Sequence, residues 1–151
     1  MKRSGVAAVV ALALGVAAGT VFAQAKPEVL VKQRQAVMTL QGKYFGPMAA
    51  MAQGKAPYNP DVVKRNSAYL DNLSRMAWDG FDPGTKDVKS AALPAVYEQQ
   101  AKFREAGARL ENEAHKLYQL AQSGDEAAVK AQIGAVGKAC GGCHNDFRQK
   151  Q

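Results

Sequence analysis

Two cysteines in 151 residues are too few to staple a disulfide-dense scaffold. Aromatic residues make up only 7% of the chain, Ile is scarce and Ala is abundant, which speaks against a sandwich or barrel and for helices. Runs of like charge are missing too: the formal charge is +7, yet beyond residue 23 the only basic cluster is Arg148 with Lys150 at the tail. Without a basic stripe interleaved with aromatics, nucleic acid is not an expected partner. Beyond residue 23 no apolar window approaches membrane-spanning length. What remains, 47% hydrophobic and 22% charged, is ordinary composition for one globular domain and excludes collagen-like, low-complexity and disordered classes.

The first 23 residues read as a secretory signal peptide. Met1-Lys2-Arg3 is a short basic region, Val6 to Val21 is apolar, and Val21-Phe22-Ala23 ends on a small residue suited to cleavage. A retained membrane anchor is the alternative, but the stretch is short and weakly hydrophobic. Cleavage leaves residues 24–151 as the mature domain, exported to the periplasm and not membrane-bound. Loss of Lys2 and Arg3 lowers the formal charge from +7 to +5.

Four amphipathic segments follow. Lys26-Pro27-Glu28 opens the first, with Leu30, Arg34, Val37, Met38, Gln41, Phe45 and Met48 on one stripe. Gly46-Pro47 should kink or end it. Asn59-Pro60-Asp61 starts the second, with Asn59 as N-cap, and Asp79-Gly80 should stop it. Phe81 to Leu93 reads as a loop around Asp82-Pro83-Gly84-Thr85. Pro94 should open the third and longest helix, in which Val96, Phe103, Leu110 and Leu117 recur every seven residues. Gly124 and Asp125 separate it from a fourth helix with Val129, Ile133, Val136, Cys140, Cys143 and Phe147 on its buried stripe. No strand pattern competes. The expected fold is all-α, an antiparallel four-helix bundle.

Cys140-Gly141-Gly142-Cys143-His144 is the Cys-x-x-Cys-His signature of covalent haem attachment. On a helix, spacings of three and four residues project both thiols and the imidazole from one side. The thiols can add to the two vinyl groups of the porphyrin edge, and the imidazole lies where a proximal iron ligand belongs. Gly141 and Gly142 leave room for the macrocycle. A redox disulfide would normally sit in a βαβ domain, and none is indicated. A zinc site would need His115, the only other histidine, and still lack a ligand. A second iron ligand would have to come from Met38, Met48, Met51, Met76 or His115, of which the methionines also serve as core filler and His115 also reads as a solvated residue of the third helix. Arg34 on an apolar stripe is costly unless partnered; a haem propionate would suit it, as would snorkelling to solvent.

A haem motif at the end of a four-helix bundle, behind a signal peptide, resembles cytochrome c′, the class II c-type cytochromes. The likeness spans the mature chain through Lys32-Gln33-Arg34-Gln35, Tyr44-Phe45-Gly46, Trp78 with Phe81-Asp82-Pro83-Gly84-Thr85, Pro94 with Tyr97 and Phe103, and the haem motif with Phe147-Arg148. The resemblance implies one covalent haem c per chain, with Cys140 and Cys143 as thioethers and His144 as sole strong axial ligand. It places Arg34 and Gln35 by the propionates, Met38 over the distal iron face, and Arg148 beside the proximal face. Trp78, Phe81, Tyr97 and Phe103 would wall the haem, although Trp78 also reads as plain core.

The function so implied is a five-coordinate haem protein that binds NO and CO and can transfer electrons to redox partner proteins. A six-coordinate electron carrier with Met38 on the iron is the alternative. No poised acid or base suggests an enzyme, and the absent distal His and Arg argue against a peroxidase. The resemblance also implies a homodimer through the first two helices, for which Val29, Met48, Met51 and Val63 could supply an apolar face.

Overall fold

The computed structural model describes residues 25–150; the expected leader lies outside them. Four long helices make the bundle: α1 (Pro27–Ala52), α2 (Pro60–Ser74), α4 (Gln100–Ser123) and α5 (Glu126–Phe147), with a one-turn helix α3 (Ala95–Glu98) before α4. Packing is cyclic: α1 lies against α2, α2 against α4, α4 against α5, and α5 closes on α1. No helix among the described residues is long and apolar enough to cross a membrane.

The helix starts follow their local chemistry. Pro27 occupies the first turn of α1, where a missing N–H costs nothing. The Asn59 side chain accepts from the Val62 N–H at 3.1 Å, and that of Asp125 from the Ala128 N–H at 3.0 Å. Gly124 closes α4 at φ +80°, a left-handed conformation that glycine adopts without strain.

Three boundaries differ from the sequence reading. Pro47 does not end α1, which runs on to Ala52. Pro47 is exposed, so the carbonyl its ring leaves unbonded can turn to water, while Met48 and Met51 beyond it are buried and hold the last turn on the core. The second helix stops at Ser74, before Asp79-Gly80. The Gln41 side chain donates to the Leu73 carbonyl at 2.9 Å, and a 3₁₀ turn over Trp78–Phe81 follows. The third segment breaks at Gln99 (φ −114°, ψ 46°), and α4 with 24 residues is shorter than α1 with 26.

The main core joins Met48, Met51, Val63, Leu70, Leu110, Leu117, Val129, Ile133 and Val136 between all four helices. Full burial of each large side chain contributes on the order of 2 kcal/mol. A second cluster, Val96, Phe103 and Phe147, sits at the end where the haem motif lies. Met48, Met51 and Val63 thus belong to the interior, at 0%, 8% and 1% exposure, and cannot form a dimer face; of the four residues expected there only Val29 is exposed.

Candidate haem site

The motif occupies the last turns of α5. Cys140 packs against the main core and Cys143 against the Val96–Phe103–Phe147 cluster, so each thiol is half-buried. Burial raises both thiol pKa values, that of Cys143 to about 11, with Cys140 and Asp146 adding to the latter. Such protonated thiols lack the lowered pKa of a redox cysteine. A side chain at Gly141 or Gly142 would meet nothing within 4 Å, so the surface between the cysteines is open. His144 is exposed at the rim of a cavity of about 200 Å³ shared with Asn145, Arg148, Gln149 and Lys150. Desolvation, reinforced by the Arg148 guanidinium, lowers its pKa and favours the neutral imidazole that a metal requires.

Beyond Phe147 the backbone turns extended and pairs with the loop before α3. The Leu93 N–H donates to the Phe147 carbonyl at 2.9 Å, and the Gln149 N–H to the Ala91 carbonyl at 2.8 Å. This short antiparallel bridge, centred on Ala92 and Arg148, ties the end of the motif helix to the segment that carries the aromatic wall.

Arg34 holds the other side of that segment. It is 3% exposed, which rules out snorkelling to solvent. One guanidinium nitrogen donates to the Gly80 carbonyl at 2.6 Å, to Thr85 Oγ1 at 2.9 Å and to the Tyr97 hydroxyl at 3.2 Å; the other donates to Ser90 Oγ at 3.0 Å. The cation also lies 4.3 Å from the centre of the Phe81 ring. None of the ion pairs among the described residues includes Arg34, so its charge meets only neutral oxygens. The approach of this loop to α1 requires Gly80: a Cβ there would stand 2.6 Å from Arg34 Cβ and 2.9 Å from the Leu30 carbonyl.

Trp78, Phe81 and Phe103 do come together. The rings of Phe81 and Phe103 meet edge to face at 4.7 Å, Trp78 and Phe103 at 5.8 Å, and Phe103 and Phe147 at 5.2 Å. Tyr97 takes part through its hydroxyl, 2.9 Å from Thr85 Oγ1 as well as bonded to Arg34. Trp78, Phe81, Val96, Phe103 and Gly107 line a cleft of about 440 Å³. Sequence reasoning missed Thr85, Ser90 and Gly107; of these only Thr85 stood in a recognisable turn string.

Met38 is half-buried on the α1 stripe one turn beyond Arg34, and Gln35 is exposed beside it. The other candidate iron ligands lie elsewhere. Met48 and Met51 are packed in the main core, and Met76 is 59% exposed. His115 is on the wet face, with Nδ1 at 3.2 Å from Asp71 Oδ2 and Nε2 at 3.1 Å from the Gln119 amide. No group of three or more His, Cys, Asp or Glu side chains among the described residues is gathered to hold a metal ion. The features that fit a haem are two half-buried thiols and an imidazole on one side of α5, an open surface between them, an uncompensated buried cation and an aromatic wall with an unpartnered indole N–H.

Residues 29–148 match the family model described as Cytochrome C'. The cytochrome c' of Rubrivivax gelatinosus is 40% identical over 126 residues, covering 83% of this chain and 98% of the relative. Its crystal structure superposes with a TM-score of 0.79 at 38% identity, over 82% of this chain and 98% of that one. A variant of cytochrome c prime from Alcaligenes xylosoxidans in complex with nitric oxide has a TM-score of 0.78 at 35% identity over 85% of this chain and 99% of its own. A carbon monoxide-bound variant from the same organism gives 0.77 at 36%, over 83% of this chain and 98% of its own. With this agreement running through the bundle and into the haem motif, the chain belongs to the cytochrome c′ family, the bundle proteins that carry covalent haem c.

Proposed function

We propose that residues 24–151 form a periplasmic haem protein that binds NO and CO and carries electrons. The observation that carries this reading is the arrangement of Cys140, Cys143 and His144 on one side of α5 beside an open surface. When bound, haem c supplies a one-electron iron couple and a coordination position for a small uncharged gas. Cys140 and Cys143 would anchor it, and His144, whose pKa desolvation and Arg148 lower, would be the single protein ligand. Arg34 and Gln35 face its carboxylates, a guanidinium being well matched to such a group. Phe81, Tyr97, Phe103 and Trp78 exclude water from its rim. Half-buried Met38, one turn beyond Arg34, would cover the gas-binding side as an apolar plug that offers no hydrogen bond to a guest. The NO and CO complexes of the Alcaligenes variants support gas binding here.

The role is binding and carriage rather than catalysis: half-buried Met38 and Phe81 provide no proton donor or acceptor for turnover. A second copy of the chain covers the outer face of α1 and α2, where Val29, Leu40 and Tyr69 are the exposed large apolar side chains. Export follows from the leader-like residues 1–23. Replacing His144 with Ala tests the centre of this reading: pigment and thioether linkage survive while the native iron spectrum is lost. A variant with an unaltered spectrum would overturn the ligand assignment.

A further inference from the structure

The Phe45 ring of α1 rests on bare backbone of α5. A Cβ at Gly137 would stand 3.4 Å from Phe45 Cζ and 3.9 Å from Cε1, so a single carbon there would already touch the ring. Backbone conformation does not call for glycine at 137: among the described residues only Gly54 and Gly124 have positive φ. A mid-helix glycine costs about 1 kcal/mol relative to alanine, offset here by the close approach of the two helices. Phe45 also packs against the main core, which holds the ring from behind.

The two helices run antiparallel. The start of α5 lies by the loop after α1, with Lys130 Nζ 5.4 Å from the centre of the Tyr58 ring. The end of α5 lies by the first half of α1, where Arg34 binds Ser90 and the Gln149 N–H donates to the neighbouring Ala91 carbonyl. Seven residues back from Phe45 is Met38, and seven residues on from Gly137 is His144. Such a step is nearly two turns, about 10.5 Å along the axis. Each step therefore stays on one helix face, and both lead toward the haem motif. Met38 stands level with His144, one rung beyond the contact of Phe45 with Gly137.

We propose that Phe45 seated on Gly137 is the spacer that sets the separation of α1 and α5 at the haem motif, and with it how closely Met38 covers the gas-binding side. The inference rests on the haem reading above. Both are positioning residues that act through Met38. A close-packed interior passes a displacement on rather than absorbing it. Extra carbon atoms at 137 would drive the ring and α1 outward and lift Met38 away. A smaller side chain at 45 would let α1 settle toward α5 and tighten the cover. CO and NO carry no charge, and Met38 offers them no hydrogen bond, so the spacing acts on their entry sterically.

The test is CO association with the reduced holoprotein, read together with the C–O stretching frequency of the complex. Gly137→Val is expected to bind CO about fivefold faster and Phe45→Leu about fivefold slower. Combined, the two changes compensate, and the rate returns to within about twofold of the parent. Added to Met38→Ala, Gly137→Val is expected to give no further gain, because the cover is already gone. Its stretching frequency moves in the same direction as that of Met38→Ala. Gly134→Val is the control: it lies on the same helix, is exposed and has nothing within 4 Å, so rate and frequency stay unchanged. An unchanged or lower rate in Gly137→Val, an equal gain in Gly134→Val, or a gain that adds to that of Met38→Ala overturns the proposal. If Gly137→Val yields no folded pigment, Phe45→Leu decides, and a rate equal to or above that of the parent overturns it. A colourless wild-type product overturns the haem reading and this proposal together, whereas a pigmented protein that fails these tests overturns the spacer alone.

Discussion

Arg34 shows what a single residue contributes. Its side chain is buried and donates four hydrogen bonds to the segment Gly80–Tyr97, so α1 and the aromatic wall depend on one cation. Arg34→Leu should lower stability by about 3 kcal/mol, because buried oxygens lose a charged donor; urea midpoints measure this, and a loss under about 1 kcal/mol would show the network is not stabilising. Glycines give a contrast of sign. Gly80→Ala forces its Cβ against Arg34 and the Leu30 carbonyl and should cost about 1–3 kcal/mol. Gly42→Ala, in mid-helix with nothing within 4 Å, should add about 0.5–1 kcal/mol. Equal effects in the two variants would contradict the packing described. The sequence made Arg34 conspicuous as a charge on an apolar stripe, but not its partners. Gly80, Thr85 and Ser90 lie 46 to 56 residues away, and no local pattern encodes a hydrogen bond of that range.

Element boundaries were legible wherever a side chain satisfies its own backbone. Asn59, Gly124 and Asp125 act as their types and positions imply. Asn59→Ala should therefore cost about 1 kcal/mol, read from thermal unfolding, while the bundle persists. Boundaries set by distant packing were not legible. Pro47 sits inside α1 because Met48 and Met51 are drawn into the core. The helix after Pro94 breaks at Gln99, and the one-turn α3 ahead of the break places Val96 in the second cluster and the Tyr97 hydroxyl beside Arg34. The seven-residue repeat of Val96, Phe103, Leu110 and Leu117 correctly marked buried positions, yet said nothing of that break.

At the scale of the whole molecule the bundle has two ends of different character. The main core fills with aliphatic side chains, whereas the haem end is built from aromatic rings, a buried cation and a tail pinned to a loop. The motif announced this end in the sequence, since its spacing is local; Met48, Met51 and Val63, expected on an outer face, are core instead, because an apolar residue reads the same in a core and on a surface. Met38→Ala should speed CO association by about tenfold, equivalent to ~1.4 kcal/mol off the barrier, as measured by flow kinetics; an unchanged rate would end its role as a plug. The most direct test of the central claim is the absorption spectrum of the reduced, purified mature protein before and after CO. A haem held by His144 alone gives a high-spin spectrum that changes at once on exposure to the gas. Sharp, split low-spin bands that resist CO would mean a second protein ligand and contradict the account.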